Sequence, residues 1–221
     1  MPVNAFIYAI EFNKFLKLPS INMSKAARTK KLVLSTAYKA FAKQGYKALT
    51  MRSLATKCRM TVSALYHHFP SKSTLYDEVM EDIYSENSKY WSTPIETKGT
   101  TWEEQLKNYI SNFCRILHNN PDFTQLMKRE QLEADPLRMK KLANSVLTSE
   151  YLGFEQLIQK VNPNCEAHIY VMVILGMALH YYETNRFRQH LPDYSLKLDN
   201  PNLVASQITN ILIGGIRYQP T

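Results

Sequence analysis

The chain has 221 residues and 27 Lys+Arg against 19 Asp+Glu, a formal net charge of +8, with 45% apolar and 21% charged residues. That composition is globular, and the length fits one large domain or an ordinary domain with a small module. No stretch reaches the roughly 18 uncharged apolar residues of a membrane span. Cys58, Cys114 and Cys165 are too dispersed for a disulfide framework or a C-x-x-C metal motif, so a reduced, cytoplasmic protein is expected.

In chain order, residues 1–22 come first and are apolar, with Phe6, Ile7, Tyr8, Phe12 and Phe15 ahead of Met23. They lack the basic start of a signal peptide, and Glu11 interrupts them. Either translation begins at Met23, or they form a short amphipathic helix that packs on the body or on a partner.

Residues 24–76 follow with eleven basic side chains and no Asp or Glu, whereas residues 77–221 hold 14 basic and 18 acidic residues. A solvated face normally mixes signs. A wholly cationic segment on a mildly acidic body points to a polyanion, either nucleic acid or an anionic membrane surface. Val33, Leu34, Ala37 and Phe41 make one apolar stripe of a helix over 28–44, and Gly45 is placed to stop it. Thr50 suits the N-cap of a second helix with Leu54 and Ala55 inward. Thr61 suits the cap of a third, short helix carrying Leu65, Tyr66 and Phe69, which Pro70 ends. Ser71 then caps a longer helix from about Lys72. Two caps eleven residues apart, between an initial helix and a long one, are the pattern of a helix-turn-helix, whose second helix enters the major groove.

Residues 28–46 (RTKKLVLSTAYKAFAKQGY), 50–55 (TMRSLA) and 61–72 (TVSALYHHFPSK) resemble the DNA-binding domain of the tetracycline-repressor (TetR) family. The most specific element is Tyr66, His68, Phe69 and Lys72, spaced as in that family. Arg59 departs from the pattern, since the family usually has Gly in the turn before Met60 and Thr61. A non-Gly residue at positive φ costs roughly 1 kcal/mol.

The resemblance implies an all-α protein: an uncertain extension over 1–23, a helix-turn-helix domain over 24–72, and a helical ligand-binding and dimerisation domain over 73–221. On the recognition helix, Val62, Ser63 and Ala64 are expected at base edges, where Val62 and Ala64 can touch a thymine methyl. Thr61, Tyr66, His67 and Lys72, with Thr50 and Arg52 from the preceding helix, are expected at phosphates. Phe69 reads as core and His68 as a packed histidine.

In the body, helical patterns run roughly 72–91, 101–118, 121–134, 137–160, 164–188 and 201–217, with Thr101 and Glu104 forming a capping box. Residues 169–179 are apolar on nearly every face, and Leu203, Val204, Ile208, Ile211 and Leu212 make another stripe. A helix apolar all round must be covered on both sides. Ile169, Val173, Gly176, Leu179, Ile208, Ile211 and Leu212 are therefore expected at a homodimer interface, with burial in the monomer core as the alternative. The body's aromatic and Met residues suit a core, and also an apolar pocket with polar anchors. The resemblance implies such an effector pocket. Candidates are Tyr109, Phe113, Tyr151 and Tyr170 with His118, Glu130 and His180, and also Arg129 and Glu133.

The six histidines form no H-x3-H pair, so no metal is expected, and no cofactor. Nucleophile-elbow, P-loop, dinucleotide and zincin motifs are absent, which argues against an enzyme. The expected function is a transcriptional regulator, most simply a repressor: a homodimer released from a double-stranded DNA operator by a small apolar or aromatic effector. The alternative is a helical protein that binds small molecules or a membrane surface without a DNA role.

Overall fold

The computed structural model describes residues 24–91, 99–144 and 148–217, and the expectations for residues 1–22 lie outside these. Among the described residues all regular structure is helical. Helix α1 (Lys25–Ala48) starts at the Ser24 cap, whose hydroxyl accepts from Ala27 N at 3.2 Å. It buries the expected stripe of Val33, Leu34, Ala37 and Phe41. The helix breaks at Gly45, which has φ 83° and lets the chain turn before Tyr46.

Helix α2 (Met51–Lys57) is capped by Thr50, whose hydroxyl accepts from Ser53 N at 3.1 Å while Ser53 closes the reciprocal box. It ends in a Schellman turn: Met60 N donates to Ala55 O at 3.0 Å and Arg59 N to Thr56 O at 3.1 Å. Arg59 takes the left-handed position with φ 54°, so the turn keeps its usual geometry without its usual glycine. Thr61 accepts from Ala64 N at 3.1 Å and opens α3 (Val62–His68). Each of these helices has only seven residues, too few to stand alone in water. Leu54, Leu65 and Phe69, all fully buried, fix them to α1 and to α4 (Lys72–Trp91).

In the body, α5 (Trp102–Asn119) begins at the expected Thr101–Glu104 box. Helix α6 (Pro121–Glu133) lies along α1. The single helix read over 137–160 is two, α7 (Pro136–Leu142) and α8 (Thr148–Val161). The pattern over 164–188 likewise divides at Thr184 into α9 (Ala167–Glu183) and the short α10 (Asn185–Arg188). A 3-10 turn (Leu196–Asp199) leads into α11 (Pro201–Arg217), which packs on α5. The buried apolar side chains form one continuous cluster from Val33 to Leu212, so the N-terminal helices and the body share a core.

Helix α9 has two apolar faces. Val171, Ile174 and Ala178 are buried inward, whereas Ile169, Met172, Val173 and Gly176 are exposed. Beside them an open apolar groove of about 530 Å³ runs between α9 and α11, lined by Met177, Leu203 and Ile211 among others. The interface expectation is corrected at two positions. Ile208 and Leu212 are 5% and 4% exposed and belong to the core of their own subunit, although Ile208 also floors the groove. Leu179 is half-buried. Met172 and Leu203 extend the exposed apolar face instead.

Because Arg59 occupies a left-handed position with no compensating contact required of its Cβ, Arg59→Gly is expected to raise folding stability by about 1 kcal/mol. Thermal or urea melting checks this, and an unchanged or lowered midpoint would mean that the turn is not strained.

Candidate nucleic-acid interface

Anchoring of α3 by Leu65 and Phe69 leaves its other side in solvent. Val62 is 37% and Tyr66 47% exposed, and Ser63 and His67 are exposed as well. Ala64 is half-buried, and its amide is held by the Thr61 cap. Thr50, Arg52 and Thr61 are exposed on the adjoining edge. Lys25, Arg28, Lys31, Lys39, Lys43, Lys47, Lys57 and Arg59 are also exposed. Lys30 is drawn to Glu78 at 2.6 Å, and its ammonium lies 5.7 Å from the Phe69 ring centre. The expected base-reading and phosphate-facing residues from α2 and α3 thus come together on one cationic surface beside a protruding short helix.

Lys72 is placed differently from a free surface cation. Its ammonium donates to Lys47 O at 3.3 Å and lies 4.4 Å over the Tyr46 ring. Burial lowers its pKa, against the opposing charge of Glu133. It therefore holds the end of α1 against the start of α4.

The same Tyr46 ring carries Arg138 of α7 at 4.3 Å, so a guanidinium of the body and an ammonium of the N-terminal unit share one aromatic ring. Phe41 and Tyr76 pack edge-on at 5.2 Å beneath it. Arg138 Nε donates to Glu130 at 2.9 Å and its Nη2 to Glu133 at 2.8 Å. Burial works against the guanidinium charge, but bonding to Glu130 and the nearby carboxylates raise the Arg138 pKa. Glu133 in turn accepts from Lys47 N at 3.2 Å, and Arg129 Nη2 donates to Lys43 O at 2.9 Å. A Cβ on Gly45 would collide with the Glu133 carboxylate, which is a second reason for glycine there. Sequence reading missed this junction. Its partners are 86 residues apart, and neither periodicity nor motif spacing links them.

The expected effector residues are not brought together. Tyr109 packs on Phe154 at 4.8 Å and Phe113 is core. Glu130 and Glu133 are taken by Arg138, and Arg129 by α1. The Tyr151 hydroxyl pairs with His168 at 2.7 Å and with Glu155. Tyr170 packs half-buried against the core, His180 faces the α9–α11 groove, and His118 lines a separate polar cleft. The rings that suggested a pocket are mostly spent on one another and on the core.

Residues 33–79 match the family model for bacterial regulatory proteins of the tetR family. The chain is 21% identical over 174 residues to the HTH-type transcriptional repressor NicS of Pseudomonas putida, covering 75% of this chain and 81% of NicS. It is 26% identical over 100 residues to the HTH-type regulator YuxN of Bacillus subtilis, 45% of this chain but only 34% of YuxN. The crystal structure of a TetR-like transcriptional regulator from Rhodococcus sp. RHA1 shares the fold with a TM-score of 0.68 at 14% identity, covering 89% of this chain and all of that one.

Removing the guanidinium strands Glu130, which is 1% exposed. Arg138→Ala is expected to cost about 3–5 kcal/mol, the usual penalty for breaking a buried pair, with Arg138→Lys in between. Equilibrium unfolding measures this, and a loss below about 1 kcal/mol would show that the junction is not held by the pair.

Proposed function

We propose that this chain is a transcriptional regulator of the tetR type, in line with the family match over residues 33–79, and that it acts as a cytoplasmic repressor: a homodimer on double-stranded DNA, released by a small-molecule effector. The observation that carries the reading is the exposed start of α3, with Val62, Ser63 and Tyr66 in solvent amid cationic side chains that no acid of the same segment neutralises. Phosphate attraction supplies affinity for any duplex, and the first turn of α3 discriminates sequence. Ser63 can donate or accept at a base edge, and Val62 and Ala64 can contact thymine methyls. Arg52, Tyr66, His67 and the Thr50 and Thr61 edges serve phosphates. Lys72 adds charge there while fixing the α1–α4 corner.

The exposed face of α9, continued by Leu203 and Ile211 of α11, supports the dimer. A contiguous apolar surface of this kind needs a cover in water, and a second copy offers the same surface in return. A two-fold pair would set two α3 helices about one DNA turn, ~34 Å, apart over an inverted repeat. An effector shifts that arrangement only through different affinities for its two states. The body's rings are packed away, so the support for an apolar effector that their number gave in the sequence is weakened.

Selection of bound sequences from random duplexes should return an inverted repeat, and recovery of no preferred sequence would overturn the reading. Arg52→Ala and Tyr66→Phe are expected to weaken binding to all duplexes alike, with Arg52→Ala lowering the salt-dependence slope by about 1. Ser63→Ala should change which base is preferred. Separately, Val173→Asp with Ile211→Asp should give a monomeric mass in light scattering with helical content intact. An unaltered dimer would place the interface elsewhere.

A further inference from the structure

A cleft of about 380 Å³ opens on the far side of α6 from α1, bounded by the end of α5, the first turns of α6, the end of α9, and α10. Five buried polar atoms in its wall have no hydrogen-bond partner: Thr124 Oγ1, Tyr182 Oη, Glu183 Oε1, Arg188 Nε and Asp199 Oδ1, the last of them still ion-paired. Thr124 is 2% exposed, yet its hydroxyl has no hydrogen-bond partner. Thr29, Thr36, Thr56, Thr184 and Thr209 each donate to the carbonyl four residues back, Thr148 to the one five back, and Thr74 pairs with Ser71, whereas the Thr124 hydroxyl has no such partner. Across the cleft, Oε1 of Glu183 is buried without a donor. A carboxylate oxygen removed from water and left unpaired is costly unless something arrives to bond it.

On the cationic side of the cleft the charge of Arg188 is matched, although its Nε has no hydrogen-bond partner. Arg188 pairs with Asp199 at 2.7 Å, bonds Asn185, and lies flat on the Tyr181 ring at 3.8 Å. With that pair neutral, the lining leaves the carboxylates of Asp122 and Glu183 against the exposed guanidinium of Arg186, an excess of one negative charge. Leu117 and the Tyr182 ring supply an apolar wall.

We propose that this cleft binds a small organic ammonium, with its N–H groups meeting Glu183 and Thr124 and its apolar body lying against Leu117 and Tyr182. The assignment rests on the reading of the chain as an effector-controlled regulator and gives that effector a place and a chemical class. An ammonium brings three donors and one positive charge, which match the unpartnered oxygens of Thr124, Tyr182 and Glu183 and the excess negative charge. An anion could accept from Arg188 Nε, but that guanidinium is already neutralised by Asp199, so the anion would meet the same excess negative charge. Position gives the site its leverage: Thr124 stands on α6, the helix whose other end holds Lys43 and Lys47 of the DNA-facing unit. A ligand seated between α6 and the end of α9 therefore acts on the body helix that packs most extensively on α1.

The test uses the full chain, free of DNA, titrated calorimetrically with phenethylammonium, 2-phenylethanol and phenylacetate, which share a body and differ in head group. The expected result is binding of the ammonium alone, one per chain, with the affinity lowered about tenfold or more in Glu183→Gln and in Thr124→Val, both with unchanged helical content. Thr124→Ser should restore most of it. Equal binding of the alcohol or the carboxylate, no binding of the ammonium, or unaltered binding in both variants would overturn the proposal. Because no duplex is present, such a failure leaves DNA recognition untouched. A chain that binds the ammonium but ignores duplex DNA would fail the regulator reading alone.

Discussion

The Glu130 carboxylate is almost wholly withdrawn from water, and its position is tolerable only because Arg138 reaches back over the end of α6 to meet it. The left-handed Ala134 and the Asp135 cap make that return possible by turning α7 sharply against α6. A buried ion pair is poor evidence of net stability, since desolvation offsets much of the attraction. Its effect is geometric. Arg138 cannot leave without stranding Glu130, so it fixes Glu133, and Glu133 holds a main-chain amide at the end of α1. Attachment to the backbone at Lys43 and Lys47 couples the body to the path of α1 itself, with no flexible side chain of α1 between them.

Recognition in this architecture is delegated to very little secondary structure. Two seven-residue helices hold their places because caps satisfy their first amides and because Leu54, Leu65 and Phe69 tie them to a core shared with the body. The charge pattern serves the same end. Between Glu11 and Asp77 the chain carries no acid, and Asp77 and Glu78 are then used structurally, toward Lys141 and Lys30. Placed between residues 24 and 76, the same acids would lie within a Debye length, roughly 8–10 Å, of the cations proposed to face phosphate.

Local features were legible in the sequence. Thr50, Thr61 and Thr101 cap the helices they were expected to cap, because a cap needs only a hydroxyl and an amide three residues away. The α1 stripe was legible for a similar reason, since one face of one helix has a fixed period. What depends on distant packing was not. Periodicity flagged α11 as apolar but could not assign Ile208 and Leu212 to the inner side and Ile211 to the outer. Aromatic content suggested a pocket, but nothing local says that Tyr109 meets Phe154 or that Tyr151 meets His168. Lys72 reads as a surface cation until Tyr46 and Lys47 are seen to enclose it. The missing partner of Thr124 has no sequence signature, because threonines elsewhere on the same kind of helix are satisfied by their own backbone.

Helix α9 explains why movement would concentrate in α6. Its inner face, through Val171, Ile174 and Ala178, is set into the core, and its outer face is the surface that a second copy would cover. A helix clamped on both sides cannot shift without disrupting two close-packed interfaces, which behave as discrete arrangements rather than as a continuous medium. Helix α6 packs on α1, α5, α7 and α9 but borders the cleft at its first turns. The cleft is the side on which α6 has the fewest packed neighbours to displace. A displacement there would reach the α1 backbone directly, through the bonds of Arg129 and Glu133 to Lys43 and Lys47, without a side chain of α3 taking part.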